Sequence, residues 1–65
     1  MRLVVNGVEQ DVVAETLAAA LEALDYAETL VGTALNGDFV PARKRAETSL
    51  SEGDRIEIVA PRQGG

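Results

Sequence analysis

The dipeptide Asn-Gly occurs twice in this chain, at Asn6-Gly7 and Asn36-Gly37, each time between short apolar segments. Both central positions of a two-residue hairpin turn need positive φ, which Asn and Gly tolerate better than other residues, so each dipeptide predicts an antiparallel hairpin. In a chain of 65 residues, two hairpins already commit much of the backbone to strands. "RLVVN" and "VEQDVV" flank the first turn, the latter alternating through Val8, Gln10 and Val12. A strand through Leu35 and a short one ended by Pro41 flank the second, since proline cannot continue a ladder. "RIEIV" supplies a fifth strand, with Ile56 and Ile58 on one face and Arg55 and Glu57 on the other.

Only one segment has helical periodicity. Thr16 can cap it through its hydroxyl, and Leu17, Ala20, Leu21 and Leu24 recur on one side while Glu22 and Asp25 fall on the other. Ala18, Ala19, Ala20 and Ala23 favour the helix intrinsically and keep it slim enough to lie close to a sheet. Between the helix and the third strand a loop is expected around Tyr26 to Thr29, and the chain from Pro41 to Gly53 reads mostly as connection. Glu52 and Asp54 around Gly53 read as a tight polar turn rather than a pair of acid-base carboxylates. The order is therefore strand, strand, helix, strand, strand, strand. An α+β fold, with one helix on one face of a mixed sheet, buries Leu3, Val5, Leu17, Leu21, Leu24, Leu50, Ile56 and Ile58 together. The sheet's other face is left to water or to a partner.

Composition removes most chemistries. There is no cysteine and no histidine, so thiolate nucleophiles, zinc-thiolate sites, disulfides and the commonest general base are all missing. No catalytic residue and no metal ligand set is expected, nor any P-loop to cradle a triphosphate. The net charge of -5 opposes the phosphate contacts on which nucleic-acid binding depends. No apolar run approaches the length of a membrane span and no cleavable signal pattern precedes the first strand, so a cytoplasmic location is expected.

The sequence ends on Gly64-Gly65, two residues that lose much freedom on ordering and bury nothing. The expected division is a folded domain over 1–59 and a tail over 60–65, with Pro61 stiffening the base of the tail. Six extended residues reach roughly 20 Å, enough to place a terminus deep inside another protein. Arg62 in the tail can meet acidic groups at a channel mouth. Arg43, Lys44 and Arg45 form a basic run that reads either as solvated surface or as a dock for an acidic patch. Phe39, one of two aromatic residues, reads either as an interface anchor or as packing under the fourth strand.

Taken with this element order, the stretches "LNGDFVP" and "SEGDRIEIV" and the final "GG" resemble the ThiS-type sulfur carriers of thiamine biosynthesis. The resemblance covers essentially the whole chain and implies the ubiquitin-like β-grasp fold. It also implies a carrier, not an enzyme: a ThiF-type activating enzyme uses ATP and magnesium to adenylate the terminal glycine, here Gly65, and a persulfide donor converts it to a thiocarboxylate. Gly64 and Arg62 would thread the tail, and the carrier itself would bind no cofactor. The implied partners are the ThiF-type enzyme, a ThiG-type thiazole synthase and the persulfide donor, with the free carrier a monomer. Two other readings use the same fold. One is a β-grasp sulfur carrier for molybdopterin or for tRNA or amino-acid sulfuration, and the other is a noncatalytic β-grasp interaction module, which has no use for a free Gly-Gly end.

Overall fold

A computed structural model of the chain describes residues 1–26 and 30–60. Most of the expected loop after the helix, at residues 27–29, and the tail residues 61–65 lie outside the described residues. The elements are β1 (Arg2–Val5), β2 (Val8–Asp11), α1 (Leu17–Ala23), β3 (Gly32–Leu35), β4 (Asp38–Val40), a 3-10 helix (Ala42–Glu47) and β5 (Arg55–Val59). They build a five-stranded mixed sheet in the order β2-β1-β5-β3-β4. β1 and β5 run parallel at its centre, and every other neighbouring pair is antiparallel.

Both hairpins form at the expected dipeptides. Asn6 and Gly7 have φ of 50° and 82°, and Asn36 and Gly37 have 52° and 89°, the double left-handed geometry that matches the twist of the flanking strands. β2 stops at Asp11, yet pairing continues one step further, because the N-terminal ammonium of Met1 donates to the Val12 carbonyl and the Val12 amide donates to the Met1 carbonyl, both at 2.8 Å. Val12 itself is buried, whereas β2 is exposed along its whole length.

The helix begins as the capping pattern predicts. Thr16 has extended φ and ψ and its Oγ1 accepts from the Ala19 amide at 3.2 Å. At the other end Asp25 takes φ 70°, and the amides of Asp25 and Tyr26 donate to the carbonyls of Glu22 and Leu21. This is a Schellman closure with Asp where glycine is usual. Tyr26, half-buried, continues the apolar contact beyond the turn.

The core is close to the one expected. Leu3, Leu17 and Ile56 are fully enclosed, with Val5, Leu21, Leu50 and Ile58 around them. Leu24 is only half-buried and packs against this cluster, while Val12, Ala20, Val31 and Val40 complete it. Residues paired across strands share a face, so Leu3, Val5, Thr33, Val40, Ile56 and Ile58 turn toward α1 together.

The segment after Pro41 differs from the expectation of plain connection. Residues Ala42–Glu47 wind into a 3-10 helix that packs against α1. No residue of it is buried, so it carries no apolar periodicity for a sequence pattern to register. Beyond it, Thr16 and Ser49 form an isolated bridge, the Leu17 amide donates to the Thr48 carbonyl, and Leu50 donates to Glu15. These bonds satisfy backbone groups at the start of α1 and bring Leu50 into the core. The Glu52-Gly53-Asp54 turn is as expected: Gly53 has φ 87°, and Asp54 closes the turn by accepting from the Ser51 amide at 2.8 Å.

Candidate functional site

Opposite α1, the sheet has no covering element among the described residues. Strand parity places Arg2 and Val4 of β1, Gly32 and Ala34 of β3, Phe39 of β4, and Arg55, Glu57 and Val59 of β5 on this open face. Val4, Ala34, Phe39, Arg55, Glu57 and Val59 line a groove across it. Its composition changes from side to side. At the β1–β2 edge stands the Arg2–Glu9 ion pair, at 2.9 Å; toward β3 and β4 stand Ala34, Phe39 and Val59.

The apolar part is exposed to a degree that packing does not require. Phe39 is 73% accessible and Val59 is 66% accessible. In register, Ala34 lies between Phe39 on one side and Glu57 on the other, and Val59 lies beside Gly32. Small residues on β3 thus leave the two large apolar side chains standing proud of the face. Val59 is also the last residue of β5, so the patch lies at the point where the chain passes into Ala60 and the expected tail.

The sequence-predicted residues are distributed unequally over this geometry. Phe39 is on the open face, which settles its packing: it does not lie under β4 in the core. The basic run is divided. Arg43 and Lys44 are exposed on the 3-10 helix, whereas Arg45 is half-buried and anchored, its Nε donating to Thr33 Oγ1 at 3.0 Å and its Nη2 to the Val31 carbonyl at 2.6 Å. Arg45 therefore ties the 3-10 helix to β3. Because that helix packs on α1, the run sits on the helix side of the sheet and is not brought together with Phe39. Arg62, Gly64 and Gly65 lie outside the described residues.

Two features of the site were not anticipated. Val4 and Val59 are apolar residues at the parity of Arg2, Arg55 and Glu57, and that break in the alternation was the available signal for an apolar patch on the solvated face. The second is that the turn asparagines grip β5 with their side chains. Asn36 Oδ1 accepts from the Arg55 amide at 2.9 Å, and Asn6 Oδ1 accepts from the Ile58 amide at 2.8 Å. Turn propensity explains asparagine at both positions without any such contact, so nothing in the pattern pointed to it.

Electrostatics add little chemistry. The hydrogen bond that Arg2 donates to the Glu9 carboxylate, reinforced by the charges of Glu9 and Asp11, raises the Arg2 pKa above its ordinary value. The folded-state value is the higher one, so the associated stability is complete below the ordinary arginine range and is lost only as pH rises through the raised value. Arg2 stays charged throughout the neutral range. Among the described residues no group of three or more carboxylates could hold a metal ion, and no helix is long and apolar enough to cross a membrane.

Comparison with known proteins completes the picture. The ThiS family model matches residues 3–65, and the chain belongs to the ThiS family. A crystal structure of the thiamine biosynthesis protein ThiS from Geobacter metallireducens is 33% identical, covers 100% of both chains and superposes with a TM-score of 0.79. The five-stranded sheet packed against α1 is accordingly the β-grasp fold. Comparison with curated proteins gives no match. Members of this family are small carriers and not themselves catalysts, and this chain is of that kind.

Proposed function

We propose that this ThiS-family chain carries sulfur for thiamine biosynthesis, and that the sulfur is held as a thiocarboxylate on Gly65. The observation that carries the proposal is the exposed apolar patch of Phe39 and Val59 at the foot of the tail, in a chain whose family match runs through the tail to residue 65. A partner seated on that patch meets the chain where β5 ends at Val59 and Ala60 follows.

The chemistry follows from the nature of the group. An α-carboxylate has a pKa near 3.5, so at neutral pH it is an anion with an oxide leaving group and a poor electrophile. A ThiF-type enzyme, with ATP and magnesium, converts it to an acyl-adenylate and releases pyrophosphate. A persulfide sulfur then attacks the acyl carbon and expels AMP, and a thiol cleaves the resulting acyl disulfide to leave the thiocarboxylate. The soft sulfur anion is delivered to an electrophilic carbon on a ThiG-type thiazole synthase. Phe39 and Val59 contribute contact area to the enzyme, and Gly64 and Gly65, without a Cβ, let the backbone approach the nucleotide closely. Arg62 meets acidic groups at the channel mouth, and the exposed Arg43 and Lys44 steer encounter from the helix side.

The test is to incubate the full chain with a ThiF-type enzyme, magnesium-ATP, a persulfide source and a thiol. The intact mass is expected to rise by one sulfur-for-oxygen exchange, and fragmentation is expected to place it on Gly65. A chain extended by one alanine keeps the domain but displaces the carboxylate and is expected to remain unmodified. Equal sulfuration of the extended chain, or modification mapped to Lys44, the one lysine, would overturn the proposal.

A further inference from the structure

β5 outruns its parallel neighbour. Val4 and Val5 of β1 stand beside Arg55 and Ile56, and the Asn6 amide still donates to the Ile56 carbonyl at 2.9 Å. At Asn6 the backbone turns into the hairpin with φ 50°, and β1 has no further residue to offer Ile58. The Asn6 carboxamide takes that place: its Oδ1 accepts from the Ile58 amide at 2.8 Å and its Nδ2 donates to the Ile58 carbonyl at 3.2 Å. One side chain thus supplies both halves of a peptide group and extends the ladder past the end of a strand.

The second hairpin makes the comparison. Asn36 has nearly the same φ, 52°, and also reaches β5, but at its beginning: Oδ1 accepts from the Arg55 amide, while Nδ2 donates to Asp54 Oδ1 at 3.1 Å. Both turn asparagines hold β5, and only Asn6 holds the end that leads to Ala60.

We propose that Asn6 is a positioning residue for the end of β5, its carboxamide fixing Ile58 so that Val59 and Ala60 leave the sheet in one direction. The inference rests on the carrier reading above, because it is docking of that segment that makes the direction matter. Without the carboxamide, both polar backbone groups of Ile58 lose their partners and the end of β5 is held from one side only, by β3. The activating enzyme must then order the end of the strand when it binds, and that cost falls on association and not on the chemical step.

Two glycine variants separate this role from turn formation, because Gly accepts the positive φ of either position. Asn6→Gly is expected to speed hydrogen exchange of the Ile58 amide at least about tenfold while leaving that of Ile56 unchanged, and Asn36→Gly to affect the Arg55 amide instead. With a ThiF-type enzyme and full-length chains, pyrophosphate exchange is expected to show KM raised about tenfold for Asn6→Gly with kcat within about twofold, and little change in either for Asn36→Gly. Asn6→Asp keeps the turn and the acceptor but loses the donor, and its Ile58 protection is expected to lie between those of the unaltered chain and the glycine variant. Unchanged Ile58 protection in Asn6→Gly overturns the inference, as does equal KM for the two glycine variants. If the unaltered chain is not adenylated at all, the carrier reading fails and the positioning role falls with it. Adenylation of the unaltered chain with no difference between the glycine variants overturns the positioning role alone.

Discussion

The two faces of the sheet are made by alternate residues of the same strands, yet they answer to different demands. On the closed face Leu3, Val5, Ile56 and Ile58 are sealed beneath Leu17, Ala20 and Leu21. On the open face, one residue along each strand, Phe39 and Val59 keep most of their surface in water. The same apolar chemistry stabilises the fold on one side and is left unburied on the other. Burial of a large apolar side chain is worth about 1.5–3 kcal/mol, so exposed ones add little to folding and are available to association. The faces therefore separate stability from recognition, and substitutions can test each alone.

The largest effect is expected on the closed face. Leu21 is 3% exposed and sits against the sheet from α1. A domain of this size holds about 3–5 kcal/mol in all. Leu21→Asp buries an unpaired carboxylate, which costs upward of about 3 kcal/mol in addition to the lost apolar contact. The variant is expected to be unfolded at neutral pH, with loss of the far-ultraviolet circular dichroism of the native chain. A cooperative melt like that of the unaltered protein would mean that α1 is not the lid of the core.

A smaller loss is expected where the closed face is polar. Thr33 is 2% exposed, its Oγ1 donating to the Val40 carbonyl at 2.8 Å and accepting from Arg45 Nε at 3.0 Å. Thr33→Val keeps the volume and strands both partners, so urea denaturation is expected to show about 1–3 kcal/mol less stability. Arg45→Ala cuts the same contact from the other end, and the double variant is expected to lose less than the sum of the two. Strict additivity would break the claim that Arg45 belongs to the fold.

How much of this was legible beforehand follows the same division. Hairpins, helix and closed face announce themselves through periodicity and turn chemistry: two Asn-Gly pairs, leucines at helical spacing, and Ile56 and Ile58 alternating with charge. The 3-10 helix leaves no such trace, because no residue of it is buried and periodicity registers burial. Arg43, Lys44 and Arg45 read as one run because nothing in a linear sequence distinguishes a side chain that folds back on Thr33 from neighbours that do not. The site was legible only in part. Phe39 stands out in the sequence with its role open, Val59 has the wrong parity for solvent but ends a strand pattern otherwise explained by Ile56 and Ile58, and the grips of Asn6 and Asn36 depend on strand order, which hairpin signals do not determine.

The smallest effect on folding, and the sharpest contrast between the faces, is expected at Phe39. With 73% of its surface in water and, among the described residues, only Ala34, Asp38 and Val40 as strand neighbours, Phe39 loses little buried area on truncation. Phe39→Ala is expected to shift stability by less than about 0.5 kcal/mol in the urea experiment that exposes Thr33→Val. Recognition should respond in the opposite sense. An aromatic side chain at the centre of an interface commonly accounts for about 2 kcal/mol or more of binding, so KM for a ThiF-type enzyme is expected to rise at least about tenfold. The response also distinguishes contact from positioning. Phe39→Ala removes an interface contact without touching Ile58, so its amide protection is expected to stay native, whereas Asn6→Gly is expected to weaken both protection and KM. A Phe39→Ala chain that binds normally but is strongly destabilised would invert the comparison, making the open face part of the fold and leaving recognition to be sought on the helix side, at Arg43 and Lys44.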